Sequence, residues 1–146
     1  MNRRHFIRET CNLCVTAIVA GWLAESCAGS GRVIQAGVNG QELEIKASEL
    51  EDNRFQVIDA SGLRYRIAVR REAEGQYMAL LLMCTHARNP VTLTGNGFYC
   101  PLHGSRFDDQ GNVVQGPAQQ PLVHLPVDMD PQGLLHIHLQ PWMKES

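Results

Sequence analysis

The sequence predicts an all-β domain, an antiparallel sandwich or barrel, and three observations carry that prediction. Short runs alternate apolar and polar residues with the two-residue period of a strand. Turn dipeptides, Asn39-Gly40, Ser61-Gly62 and Glu74-Gly75, separate those runs with the chemistry of hairpins. Later in the chain Gly111-Asn112, Pro117, Pro121 and Asp130-Pro131-Gln132-Gly133 break a second series of short runs in the same way. Many short strands at even spacing make a closed or two-layered β-structure.

The elements follow in order. Strand patterning begins after a small-residue stretch at residues 28–31, and Leu43, Ile45 and Ala47 alternate with polar partners. Residues 48–53 have the composition of a single helical turn. Phe55 and Val57 alternate next, then Tyr65, Ile67 and Val69 alternate with arginines, and residues 77–83 form a mostly apolar run. Val113-Val114, residues 122–127 and residues 134–139 are the later strands. Arg64, Arg66, Arg70 and Arg71 are expected on the solvent face of a strand. His136 and His138, two apart, share one strand face. With no carboxylate or cysteine partner in register, they and His124 are expected to be solvated strand histidines.

Composition bounds the class. The 146 residues suffice for one domain with a real core, and 44% apolar with 19% charged residues is ordinary globular content. A net charge of −2 with no basic stripe excludes the electrostatic footprint of a nucleic-acid partner. Charge runs, low-complexity tracts and internal repeats are absent from the sequence.

Two short pairs stand apart from the strand pattern. Cys84-Thr85-His86 and Cys100-Pro101-Leu102-His103 each join a thiol and an imidazole at a turn marked by Pro or Gly, with thirteen residues between His86 and Cys100. Two loops facing each other would supply two thiolates and two imidazoles. That set suits either a tetrahedral zinc or a binuclear iron–sulfur cluster. No Ser/His/Asp set or phosphate-cradling glycine loop accompanies it.

The neighbours of these pairs decide between the metals. Cys100-Pro101-Leu102-His103-Gly104-Ser105-Arg106-Phe107-Asp108 resembles the second cluster-binding loop of the Rieske family, and Cys84-Thr85-His86 resembles the first. Gly116-Pro117-Ala118 is similar to the family's proline loop, so the resemblance covers about residues 78–117. It implies a Rieske-like fold over residues 32–140, with the two loops as a small cluster-binding subdomain. It also implies one 2Fe–2S cluster, with Cys84 and Cys100 on a buried iron and His86 and His103 on an exposed one. Two ferric ions, two sulfides and two thiolates sum to zero charge, whereas four thiolates would leave −2. An electron adds more easily to the neutral centre, so the potential lies above that of a plant-type ferredoxin.

Around the ligands, the resemblance implies that Ser105 hydrogen-bonds a bridging sulfide and raises the potential. Phe107 stands where high-potential members carry a tyrosine, so its missing hydroxyl lowers it. The inter-loop disulfide of quinol-oxidising members would fall near Asn89 and Leu102, and neither is cysteine. Leu102 resembles instead the low-potential Rieske ferredoxins. The expected function is one-electron transfer, as a carrier or as a small subunit of an exported or membrane-associated oxidoreductase, with redox proteins as partners and no catalytic activity of its own. The alternative is a zinc-stapled β domain acting as a binding module.

Residues 1–26 do not read as part of the domain. Asn2-Arg3-Arg4-His5-Phe6-Ile7-Arg8 resembles the twin-arginine export signal, a route suited to proteins that fold around a cofactor before export. The apolar run behind it, residues 13–24, rises about 18 Å as a helix, short of the ~30 Å hydrocarbon core, and fits a signal h-region. An uncleaved anchor and a short amphipathic helix are the other readings. Cleavage before Cys27 would leave Cys27, Cys84 and Cys100. The first would then be an odd free thiol in an exported protein unless lipid caps it, which makes Cys27 a candidate lipid-attachment site. Residues 27–31 read as a short linker, and membrane association through lipid or an N-terminal anchor is expected. Cys11-x-x-Cys14, inside the apolar run and without a second pair, is not read as a metal motif.

Overall fold

The structure, a computed structural model, describes residues 33–144. Residues 1–26, expected from the sequence to be an export signal, the expected linker at 27–31 and Cys27 lie outside the described residues. Twelve strands and two short 3-10 turns form two sheets. Among the described residues no helix is long and apolar enough to cross a membrane.

The larger sheet has eight strands in the order β10-β5-β4-β3-β1-β2-β12-β11. Its members are β1 (Val33–Asn39), β2 (Glu42–Lys46), β3 (Gln56–Ala60), β4 (Ile67–Ala73), β5 (Gln76–Leu81), β10 (His124–Leu125), β11 (Val127–Met129) and β12 (Leu134–His138). β11 comes back against β5, which curls the sheet nearly shut. Gly40 and Gln41 turn β1 into β2 with Gly40 at φ 60°, the first central position, where a two-residue hairpin turn takes glycine. Glu74-Gly75 turns β4 into β5, with a bulge between Arg71 and Ala73. The expected helical turn is a 3-10 turn at Ala47–Glu49.

Three features depart from the sequence reading. β1, which the residue pattern did not single out, pairs with β3 in parallel. A parallel neighbour needs a crossover, and here β2 and the 3-10 turn supply it. Ordered structure also runs past residue 140, through a 3-10 turn at Pro141–Met143 that buries Met143 in the core. Arg70, finally, is not on a solvated face. Its side chain is only 14% exposed, lies over the Phe55 ring and is paired with Glu72 and Asp109. Arg66 and Arg71 pair with Asp59 and Asp52 at more open positions.

Inside the curled sheet lie Leu43, Ile45, Ile58, Ile67, Val69, Leu81, Leu135 and Ile137. β4 and β5 are apolar on their other face as well, because Ala68, Met78 and Leu80 enter a second core with Phe98, Phe107 and Leu122. This double burial explains why residues 77–83 read as a mostly apolar run instead of strict alternation, and why Ala68 stands among the arginines that alternate with Tyr65, Ile67 and Val69.

The second core lies under the smaller sheet, ordered β6-β7-β8-β9, of β6 (Thr92–Thr94), β7 (Gly97–Tyr99), β8 (Arg106–Phe107) and β9 (Val113–Gln115). β7 crosses β8 closely at Gly97, where a Cβ would sit 2.2 Å from the Phe107 carbonyl oxygen. Only glycine fits there.

Candidate metal centre

The two ligand loops share one backbone plan. Leaving β5, the Cys84 N–H donates to the Asn89 carbonyl (2.8 Å) and the Cys84 carbonyl accepts from the Arg88 N–H (2.8 Å). In the second loop the Cys100 N–H donates to the Ser105 carbonyl (2.9 Å) and the Cys100 carbonyl accepts from the Gly104 N–H (3.0 Å). The residue four after each cysteine is left-handed, Arg88 at φ 52° and Gly104 at φ 81°. Each cysteine thus has both backbone groups engaged by its own loop.

That plan buries both thiols. Cys84 and Cys100 are 0% exposed, belong to the same apolar cluster and form no disulfide. His86 and His103 are exposed. Their rings meet edge to face with centroids 4.9 Å apart and planes at 90°. The four residues singled out from spacing thus fall into two pairs, thiols buried in one apolar cluster and imidazoles in ring contact at the surface. Asn89 and Leu102 are far from any cysteine role, and Leu102 is 62% exposed beside His103.

The proline loop closes over this arrangement through Ser105. Its hydroxyl oxygen is buried and accepts the Ala118 N–H at 3.0 Å, which leaves the hydroxyl proton free to donate. Pro117 itself is exposed and follows a cis peptide bond. Phe107 is fully buried in the second core and offers the loop no hydroxyl. Asp108, at the next turn, accepts the backbone N–H groups of Gln110 (2.9 Å) and Asn112 (2.7 Å) and the Asn112 side-chain amide. Burial pushes its pKa up, but the bonds from Asn112 and Gln110 outweigh that and hold it below the usual carboxylate value.

Sequence reasoning missed the clamps on the first loop. The Thr85 hydroxyl donates to the Gln120 carbonyl (2.6 Å) and so joins the first loop to the proline loop. The Tyr65 hydroxyl donates to the Arg88 carbonyl, and the Arg88 guanidinium lies 5.7 Å from the Trp142 ring centre. These partners are distant in sequence and carry no motif.

A scan of families finds the Rieske [2Fe-2S] domain over residues 41–127. The chain belongs to the Rieske [2Fe-2S] family. Its relatives include a cytochrome b6-f complex iron-sulfur subunit of Synechococcus elongatus, 29% identical across 97% of this chain and 86% of that one. Cytochrome b6-f complex iron-sulfur subunit 2 of Trichormus variabilis is 38% identical over 51% of this chain. The chain spans about half the length of that relative and of a Nostoc relative (49% and 54%). Among solved structures, one chain of the complex of reduced oxygenase and oxidized ferredoxin in carbazole 1,9a-dioxygenase is 25% identical. It has a TM-score of 0.50 and covers 74% of this chain and 99% of that one.

The Rieske cofactor is a [2Fe–2S] cluster, and the donor chemistry on this Rieske domain fits it. Two buried thiols suit a cluster's sulfur-ligated iron, and two imidazoles its nitrogen-ligated iron. The zinc alternative is correspondingly disfavoured.

One expectation about residues away from this centre is corrected. His136 and His138 do have carboxylate partners in register, because β12 pairs with β2 to set His136 opposite Glu44 and His138 opposite Glu42. β11 adds Asp128 opposite His136. Strand pairing, which the sequence does not display, creates this group.

Proposed function

We propose that Cys84 and Cys100 hold one iron and His86 and His103 the other, and that the chain moves single electrons. The observation carrying this reading is the split between two fully buried thiols and two exposed, adjoining imidazoles. When bound, the cluster accepts and returns one electron at a time. The loops keep water from the thiols, and the exposed rings give a partner a short path to the centre. Ser105 keeps a hydroxyl proton aimed from a buried position, while Phe107 supplies none. With no cysteine at Asn89 or Leu102, the potential is expected to lie below that of disulfide-bearing quinol-oxidising relatives.

The partner is proposed from the relatives. Their names place them in cytochrome b6-f complexes and, for one from Bradyrhizobium diazoefficiens, in a ubiquinol-cytochrome c reductase. A membrane oxidoreductase, with this chain as carrier or small subunit, fits those names. Residues 1–26 are proposed to direct export by the twin-arginine route, residues 27–31 to act as a linker and residues 32–140, with Met143 beyond them completing the core, to form the cluster domain. Lipid on Cys27 or an uncleaved anchor would tether the domain at the periplasmic face.

Elemental analysis of purified protein tests the ligand assignment. Two irons and two acid-labile sulfides per chain are expected, falling to near zero in Cys100→Ser. One zinc per chain without sulfide would replace the electron-transfer reading with a stapled binding domain.

A further inference from the structure

The outer face of β2, β12 and β11 gathers four carboxylates around two histidines. His136 has Nδ1 3.3 Å from Glu42 and 4.0 Å from Glu44, and Nε2 3.6 Å from Asp130. His138 has Nδ1 3.4 Å from Glu42 and Nε2 only 2.7 Å from Asp128. Among the described residues, no lysine or arginine forms an ion pair with any of these four carboxylates. The arginine pairs of this domain go instead to Asp52, Asp59, Glu72 and Asp109. Like charges held side by side on a sheet repel. A surface that collects this much negative charge on rigid strands, with imidazoles and no lysine or arginine paired to it among the described residues, has the donors and the electrostatics of a cation site.

The geometry points to a second metal site, in which Glu42, Glu44 and His136 bind one divalent first-row transition ion of the zinc type. One ligand atom from each lies within 4.8 Å of the other two. Zinc bonds of about 2.0–2.2 Å in tetrahedral array set neighbouring ligand atoms about 3.3 Å apart. The His136–Glu42 separation already has that value, and the Glu44 carboxylate, 4.0 Å from the same ring nitrogen, closes inward to complete the set. His136 is free to serve, because it holds no short bond to any carboxylate, whereas His138 is committed to Asp128 at 2.7 Å.

Asp130 completes the design. Its Oδ1 accepts the N–H groups of Gln132 (2.9 Å) and Leu134 (2.8 Å), which fixes the carboxylate and turns Oδ2 to the far ring nitrogen of His136. A carboxylate behind a metal-ligating histidine, holding its tautomer and ring plane, is the usual outer partner of such sites. One nitrogen and two oxygens leave at least one position for water. A mixed nitrogen–oxygen donor set favours zinc or copper over magnesium or calcium.

The test is calorimetric titration of zinc alone into the full-length, cluster-loaded oxidised protein, with magnesium as a comparison. The account predicts one zinc per chain and little magnesium binding. It predicts at least a tenfold loss of zinc affinity in His136→Gln and in Glu44→Gln, with none in His124→Gln. The visible spectrum of the cluster should be the same in all four proteins, which shows that each is folded. Zinc binding unchanged in His136→Gln and Glu44→Gln would overturn the proposal, because the ion would then sit elsewhere, such as on His86 and His103. Magnesium binding as tight as zinc would also overturn it, reducing the face to a diffuse patch of negative charge.

Discussion

Ser105 is one small side chain with two duties. Its oxygen takes the buried Ala118 N–H, and its proton is proposed to serve the centre. Ser105→Ala should therefore lower thermal stability by about 1–3 kcal/mol, the cost of a buried donor left unpaired. The same variant should lower the midpoint potential in a redox titration. A stable protein with an unchanged potential would remove Ser105 from the site. Asp108 makes a prediction in pH. Its folded pKa is depressed by hydrogen bonds from Asn112 and Gln110 acting against burial, so its stabilisation is present above the unfolded carboxylate value of about 3.9. That contribution is lost as pH falls through the lower folded value. Denaturant unfolding should show wild type ahead of Asp108→Ala at pH 6, with the gap shrinking as pH drops toward 2; a constant gap would contradict this. Cys84, His86, Cys100 and His103 could be proposed as a set because spacing and local neighbours single them out in the sequence. The surroundings of His136 were not, since Glu42 and Glu44 reach it only through the pairing of distant strands.

The loop is the next scale. Both ligand loops close on their own cysteine with the same two hydrogen bonds and the same left-handed residue. What ties the first loop to the rest is non-covalent, since no cysteine occupies Asn89 or Leu102. Thr85 grips the proline loop and Tyr65 grips the Arg88 carbonyl. Each such hydrogen bond contributes about 0.5–1.5 kcal/mol. Thr85→Val combined with Tyr65→Phe should speed cluster loss to a chelator several-fold, followed by bleaching of the visible spectrum. Bleaching as slow as in wild type would show that the loop's internal bonds suffice. Turns and long strands were readable here, because Asn39-Gly40 and Glu74-Gly75 carry their own backbone preference. β6, β7 and β8 were not, being two or three residues long, too short to display a period, with pairing partners supplied by the fold.

At the scale of the whole molecule, β4 and β5 are the shared wall between two cores. One face closes the curled eight-stranded sheet, and the other carries the small sheet that presents both ligand loops. The centre therefore stands on strands buried on both sides, which keeps the loops in fixed relation while their histidines face outward. The central claim is that two thiols and two imidazoles of this centre hold one mixed-ligand cluster. Electron paramagnetic resonance of the dithionite-reduced full chain, purified after growth with iron available, tests it most directly. A rhombic signal, absent from the oxidised protein and from Cys100→Ser, is the predicted result. No signal on reduction, in a colourless protein holding one zinc per chain, would contradict the account.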